Sequence, residues 1–323
     1  MNSQIELDSI INVINKSKKI GIFTHMSPDG DAIGSSLALY LGLKSLNKEV
    51  DIIADDYSSC FDFLPNIDEI KKLGNNDYDL SFALDCATKD RLFDTNNSFS
   101  TSKVTISIDH HVSNTFFANY NYVEGNSPAT CMTLVKIFKR LNITITKEIG
   151  SCLIAGIITD SGGFRYDTVN DETFEFAAQM LDLGVNISDI YYKTFDFKTK
   201  AQFKLSTIAT ERLKFYKNDK IALTYLLKED FDKTHAKVGD HEGIVNIGKN
   251  IEGVEVSVFL REAEKDLYKV SLRSNNYVDV SVIAETFNGG GHIKAAGFNI
   301  RDNLNNAIKR IIKEINKNLW MVY

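Results

Sequence analysis

Three strand-length apolar runs each pass directly into acidic or imidazole side chains, and this repetition narrows the choice of fold more than any other feature of the chain. Ile20-Gly21-Ile22-Phe23 leads to His25, Leu80-Ser81-Phe82-Ala83-Leu84 leads to Asp85, and Val104-Thr105-Ile106-Ser107-Ile108 leads to Asp109-His110-His111. Continuous apolar runs of this length suit strands buried on both faces. A single polar terminus after a strand is an ordinary turn or cap. Three in one chain point to one shared sheet edge, and open α/β sheets bind ligands at the carboxyl ends of their strands.

The intervening pattern is helical. Residues 4–17 read as a leading helix and residues 32–46 as the crossover to a second strand at 50–54, which makes a βαβ unit. Further helices are predicted at 129–141, 147–158 and 171–183, with Asp171 as a cap and Gly184 as a stop. Asp160 and Ser161-Gly162-Gly163 follow the second of these. Residues 187–213 are weakly apolar and helical. Beyond them come strands at 221–227, 254–260 and 268–272 and helices at 280–287 and 304–319. With 323 residues the chain has room for two cores. The expected architecture is an α/β N-terminal domain over 1–186, with a mostly parallel sheet flanked by helices. A helical connector over 187–213 and a smaller α/β domain with a mixed sheet over 214–323 complete it.

Charge and cysteine usage set limits. The net charge of -6 argues against a chain that wraps long duplex nucleic acid. Residues 211–323 carry 18 basic and 16 acidic side chains, and residues 1–210 carry 19 and 27. The acidic part suits a cation site, and the other suits an anion. Cys60, Cys86, Cys131 and Cys152 show no C-x-x-C spacing, and no apolar run approaches the roughly 18 residues of a membrane span. The expectation is reduced thiols, a cytoplasmic location and no membrane partner.

Histidines concentrate beside the strand-end carboxylates. One imidazole and two carboxylates, His25, Asp29 and Asp31, suit a divalent cation such as manganese or magnesium. Each piece has a plainer explanation. Ser27-Pro28-Asp29-Gly30 makes a good turn, Asp31 can cap the following helix, Asp85 can begin a turn, and Asp109-His110-His111 and Asp160-Ser161-Gly162-Gly163 can be polar loops. Jointly, His25, Asp29, Asp31, Asp85, His110 and Asp160 supply enough donors for two cations if one carboxylate is shared, and such a pair clamps a phosphoryl group. Later in the chain, Gly289-Gly290-Gly291-His292 either lets backbone amides approach an anion or serves a tight turn. Arg165 and His241 are weaker candidates. Phe164, Tyr166 and Phe287 suit base stacking or core packing, Cys86 reads as a packed thiol, and His235 reads as surface.

His25-x-x-Pro28-Asp29-Gly30-Asp31-Ala32-Ile33-Gly34-Ser35, then Asp85, Asp109-His110-His111 and Asp160, resembles the DHH phosphoesterase family. Gly289-Gly290-Gly291-His292 with Ala295-Ala296-Gly297 resembles the glycine-rich motif of that family's C-terminal companion domain. The nearest branch is that of single-chain oligoribonucleases (nanoRNases) that are also 3′-phosphoadenosine 5′-phosphate (pAp) phosphatases. The resemblance implies two Mn²⁺ ions, with Mg²⁺ or Co²⁺ as substitutes. His25, Asp29 and Asp85 would hold one, and Asp31, Asp85, His110 and Asp160 the other. Asp109 would fix a histidine tautomer, and His111 would orient the scissile phosphate or transfer a proton. Arg261, Arg273, Gly289, Gly290, Gly291 and His292 would bind substrate. The implied substrates are single-stranded oligoribonucleotides of about two to five nucleotides and nucleoside bisphosphates, with room for a homodimer. A phosphodiesterase of cyclic dinucleotides or their linear products, or a non-catalytic nucleotide-binding module, are the alternatives.

Overall fold

The computed structural model describes residues 3–75, 77–237 and 239–319. The chain forms two compact units, Met1–Phe197 and Lys198–Tyr323. In the first, α1 (Ser3–Lys16) precedes β1 (Lys19–Phe23), α2 (Gly30–Ser45), β2 (Glu49–Ile53) and the short β3 (Ile70–Lys71). There follow β4 (Leu80–Leu84), β5 (Val104–Asp109), β6 (Tyr120–Val123), α3 (Thr130–Leu141), α4 (Lys147–Asp160), α5 (Asp171–Asp182) and α6 (Ile187–Tyr191). All pairings are parallel and the strand order is β3-β2-β1-β4-β5-β6. The chain builds outward from β1 through β2 to β3, then returns to lay β4 on the other side of β1. The order therefore reverses between β1 and β4, and the carboxyl ends flanking such a reversal form a natural ligand crevice.

Both faces of this sheet are buried, which is why its strands read as unbroken apolar runs. Ile20, Ile22, Leu80, Phe82, Ile106 and Ile108 pack against the helices. Phe23, Ala83, Tyr78 and Phe99 fill a second cluster. Small residues let the helices close up. A Cβ on Gly34 of α2 would stand 2.5 Å from the Cys152 carbonyl oxygen of α4, and one on Gly156 of α4 would stand 2.4 Å from Cys131 Sγ of α3. That close approach brings the start of α2, the start of α3 and the end of α4 to one sheet edge.

The second unit contains α7 (Lys200–Glu211), β7 (Lys214–Tyr216), β8 (Ile221–Leu226), α8 (Lys228–Thr234), α9 (Val245–Lys249), β9 (Val256–Glu264) and β10 (Leu267–Ser274). It ends with α10 (Val280–Glu285), β11 (Gly290–His292), β12 (Ala295–Arg301) and α11 (Leu304–Asn318). The sheet order is β11-β12-β10-β9-β8-β7, with β8 and β9 parallel and the other pairs antiparallel. One face, including Val258, Leu260, Val270, Leu272 and Phe298, packs on Ile283, Ile311 and Ile315. On the other, Leu226 and Phe259 pack under Leu205, Ala209 and Val245.

This is the expected α/β architecture with a parallel and a mixed sheet. It adds β3, β6, β7, β11, β12, α8 and α9, which the sequence pattern did not mark. Two cap assignments change. Asn170, not Asp171, caps α5, because its Oδ1 accepts the Thr173 N–H at 3.1 Å. Asp29, not Asp31, caps α2: its Oδ1 accepts the N–H groups of Asp31 and Ala32 at 3.0 and 3.1 Å. Gly184 ends α5 with φ of 77°, as expected. Among the described residues no helix is long and apolar enough to cross a membrane.

Candidate metal centre

The reversal between β1 and β4 sets His25 beside Asp85. His25 Nδ1 lies 3.0 Å from the Met26 carbonyl oxygen, which leaves Nε2 aimed at carboxylates. Nε2 is 3.8 Å from Asp85 Oδ2 and 4.0 Å from Asp29 Oδ1. His110, just past β5, is built the same way. Its Nδ1 is 3.0 Å from the Ser127 carbonyl oxygen, while Nε2 is 3.0 Å from Asp160 Oδ2 and 3.6 Å from Asp85 Oδ1. Donor atoms of His25, Asp29 and Asp85 lie within 4.8 Å of one another, as do those of Asp31, His110 and Asp160, and those of Asp85, His110 and His111. Asp85 is common to two of these groups and turns one oxygen towards each side. Its φ of 54° is the left-handed conformation, which Asp tolerates better than most residues.

Asp31 is fully buried, and both its oxygens are held. Oδ2 accepts the Thr130 N–H at 2.5 Å and Oδ1 accepts the Cys131 N–H at 3.0 Å. Residue 129, the N-cap of α3, is alanine and offers no capping side chain. Asp31 therefore caps α3 from a different helix, and each oxygen retains a lone pair for a further partner.

The electrostatics of the group call for positive charge. Burial, then the charges of Asp85 and Asp160, hold the Asp31 carboxyl well above the usual range. Burial, then the Asp29 charge, raises Asp85 to about 6. Burial pulls His110 down, but its hydrogen bond to Asp160 and the charges of Asp85 and Asp31 outweigh that and lift it to about 11. Buried carboxylates this close repel one another, so a cation among them relieves the repulsion. Oxygen donors with imidazole Nε2 atoms fit a hard or borderline divalent cation, and a thiolate-seeking one finds no ligand: the nearby Cys131 thiol is pushed well up by burial and the Asp31 charge. Cys86 is likewise buried, and burial raises its thiol to about 12.

Asp109 belongs to none of these donor groups and serves His111. Its Oδ1 accepts His111 Nδ1–H at 2.7 Å, which leaves Nε2 as the working nitrogen. Its Oδ2 accepts the Asn114 Nδ2–H at 2.6 Å. Asn114 and Thr130 are the functional neighbours that the sequence reading missed. Asn114 follows Asp109-His110-His111 closely enough to have been sought as its partner; Thr130 carries no such signal.

Arg165 Nε donates to the Gly162 carbonyl at 2.5 Å and so braces its own loop. Phe164 stacks on Phe174 at 5.7 Å, Phe287 stacks on Phe298 at 4.4 Å, and Tyr166 is half exposed. In the second unit Gly289 precedes a strand and the other two glycines lie within it. Gly290–His292 is itself the exposed edge strand, paired with Ala295–Gly297 of β12. A Cβ on Gly291, whose φ is 146°, would stand 2.5 Å from the Ala295 carbonyl oxygen. Arg261 and Lys269 are directly opposite across β9 and β10, and Arg273 lies on the same face. Among the described residues neither Arg261 nor Lys269 forms an ion pair with a carboxylate. Burial lowers the Arg261 guanidinium. His241 is lowered to about 4 by burial, then by the charges of Arg261 and Lys269. His235 is exposed, as expected.

Residues 19–157 match the DHH family, N-terminal domain, and residues 201–320 match the DHHA1 domain. The bifunctional oligoribonuclease and PAP phosphatase NrnA of Thermus thermophilus is 32% identical over 305 residues, covering 93% of this chain and 90% of that protein. Its Bacillus subtilis namesake is 23% identical over 295 residues, covering 90% and 92%. The crystal structure of an exopolyphosphatase-related protein from Bacteroides fragilis is similar with a TM-score of 0.88 and 29% identity, covering 97% of this chain and 96% of that one.

Proposed function

The chain belongs to the DHH family of phosphoesterases, and from that premise we propose that it degrades short oligoribonucleotides to mononucleotides and removes the 3′-phosphate of pAp to leave AMP, using two manganese ions. The observation that carries this reading is the placement of Asp85, whose two oxygens face separate imidazole–carboxylate groups. The breadth of the likeness to the Thermus protein, named for both activities, supports the substrate class.

In this reading His25, Asp29 and Asp85 hold one cation, and Asp31, Asp85, His110 and Asp160 hold the other. A bound pair supplies Lewis-acid polarisation of a phosphoryl oxygen and an acidified water. The protein supplies position. Asp109, itself held by Asn114, fixes the His111 ring through Nδ1, and Nε2 is the atom that orients the phosphate or holds the proton that the leaving oxygen needs. Arg261, Arg273, His292 and the amides of Gly289–Gly291 bind a phosphate or base of the substrate, and Lys269 joins them. Like charges directly opposite on neighbouring strands are destabilising. Among the described residues no carboxylate forms an ion pair with Arg261 or Lys269, so an anionic ligand would offset that cost.

Rates on pAp, a ribodinucleotide and cyclic di-AMP, measured side by side after chelation and Mn²⁺ return, test the assignment. Turnover of the first two is expected. Turnover of cyclic di-AMP alone, or of none, overturns it. A second test has opposite signs in stability and function. Arg261→Met should raise the stability of the chain by about 0.2–1 kcal/mol, since it removes a like-charge pair. It should also raise KM for pAp by about tenfold or more, as loss of a charge-assisted hydrogen bond implies. Chemical denaturation with kinetics on the same preparation checks both, and an unchanged KM would place Arg261 outside the substrate site.

A further inference from the structure

We infer that Thr130 is a positioning residue that holds the carboxylates of Asp31 and Asp85 in one fixed relation. The inference rests on the reading that these two aspartates hold divalent cations. Thr130 is fully buried at the first position of α3. Its backbone N–H donates to Asp31 Oδ2 at 2.5 Å, and its hydroxyl donates to Asp85 Oδ1 at 3.0 Å. Asp31 comes from α2 and Asp85 from the end of β4, so one residue of a third element ties together carboxylates far apart in the chain.

The hydroxyl decides which way Asp85 faces. Oδ1 also looks at His110 Nε2 and His111 Nδ1, both 3.6 Å away, while Oδ2 looks at His25 Nε2 at 3.8 Å. None of those three is a hydrogen-bond distance. Among the described residues, the Thr130 hydroxyl is the contact within hydrogen-bond range that distinguishes one side of the carboxylate from the other. Without it the group is free to turn about its Cβ–Cγ bond, and the division of its oxygens between the two donor groups is lost. Thr130 stands one position past the N-cap, Ala129, so its hydroxyl is not the capping group of its own helix. Asp31 accepts the Thr130 and Cys131 N–H groups, and the Thr130 hydroxyl is directed at Asp85. Outer partners of this kind typically change metal affinity or activity by about 10–100-fold.

Thr130→Val keeps the shape and removes the hydroxyl; Thr130→Ser keeps the hydroxyl and removes the methyl. Mn²⁺ affinity is read by calorimetry on the chelator-treated full chain, alongside thermal unfolding and steady-state kinetics on pAp. The expected result for Thr130→Val is Mn²⁺ binding weaker by about 10–100-fold, a lower kcat at saturating pAp with KM little changed, and a normal unfolding transition. Thr130→Ser should restore binding to within a few-fold. Thr130→Ala, which also lacks the hydroxyl, decides the question if the valine variant does not fold. Wild-type Mn²⁺ affinity in a folded variant without the hydroxyl overturns the inference, as does failure of a folded Thr130→Ser to restore it. Affinity is read without substrate. A chain whose Mn²⁺ binding depends on Thr130 but which leaves pAp and dinucleotides intact therefore overturns the proposed activity and not this role.

Discussion

Asp85→Asn should abolish hydrolysis while leaving the fold intact. The side chain belongs to two of the donor groups, so its loss would remove the proposed shared ligand and not one of several equivalent ones. A bound metal pair provides several kcal/mol of transition-state stabilisation, and losing it should lower kcat by about 10³-fold or more. Asparagine is the informative replacement. Residue 85 has φ of 54°, which Asn tolerates as well as Asp, whereas Ala would add about 1–2 kcal/mol of backbone strain and blur the result. The Asn amide can still accept from Thr130, but it cannot neutralise two cations. Elemental analysis of the purified variant should find fewer than two Mn²⁺ per chain. Two retained ions would end the shared-ligand assignment.

Asp31→Ala should damage the protein twice. It removes a proposed cation ligand, and it strips the cap from α3, leaving the Thr130 and Cys131 N–H groups without acceptors in a buried place. Each unsatisfied buried donor costs about 1–3 kcal/mol. Relief of a buried carboxylate repelled by Asp85 and Asp160 works the other way. Loss of the cap should win, because two donors are orphaned and alanine also leaves a void where α2, α3 and α4 meet. A net loss of about 1–3 kcal/mol is expected. Unfolding must be compared on chelated samples, since ligand binding would itself shift the transition. Equal midpoints for chelated wild type and variant would show that the cap contributes nothing. Activity should fall about as far as in the Asp85 variant.

How much of this was legible beforehand follows from how each residue signals its role. His25, Asp85 and His110 stand within two residues of the ends of apolar runs, and a parallel sheet places such residues at one edge whatever the details of packing. Asp31 was visible as a carboxylate near a helix start, but not as the cap of a helix a hundred residues later. Tertiary caps leave no local pattern. Asn114 and Thr130 act through hydrogen bonds to other side chains; Asn114 stands close enough to Asp109-His110-His111 to be sought as a partner, whereas neither the type nor the spacing of Thr130 announces its role. Strands such as β3 and β11 are too short, or too rich in glycine, to show any alternation. The pairing of Arg261 with Lys269 depends on the register of an antiparallel pair, which exists only once the hairpin has formed.

That register has a consequence for how chains of this kind can diverge. Along β9 and β10, residues that enter the core alternate one by one with Arg261, Lys269 and Arg273. Inserting or deleting a single amino acid within either strand would swing the guanidinium and ammonium groups into the hydrocarbon interior and turn Leu260 and Val270 onto the opposite face, out of the core they fill. Ligand preference can thus drift by exchanging one side chain for another, but changes in length are confined to the connecting segment around Asp266, where the pairing already slips.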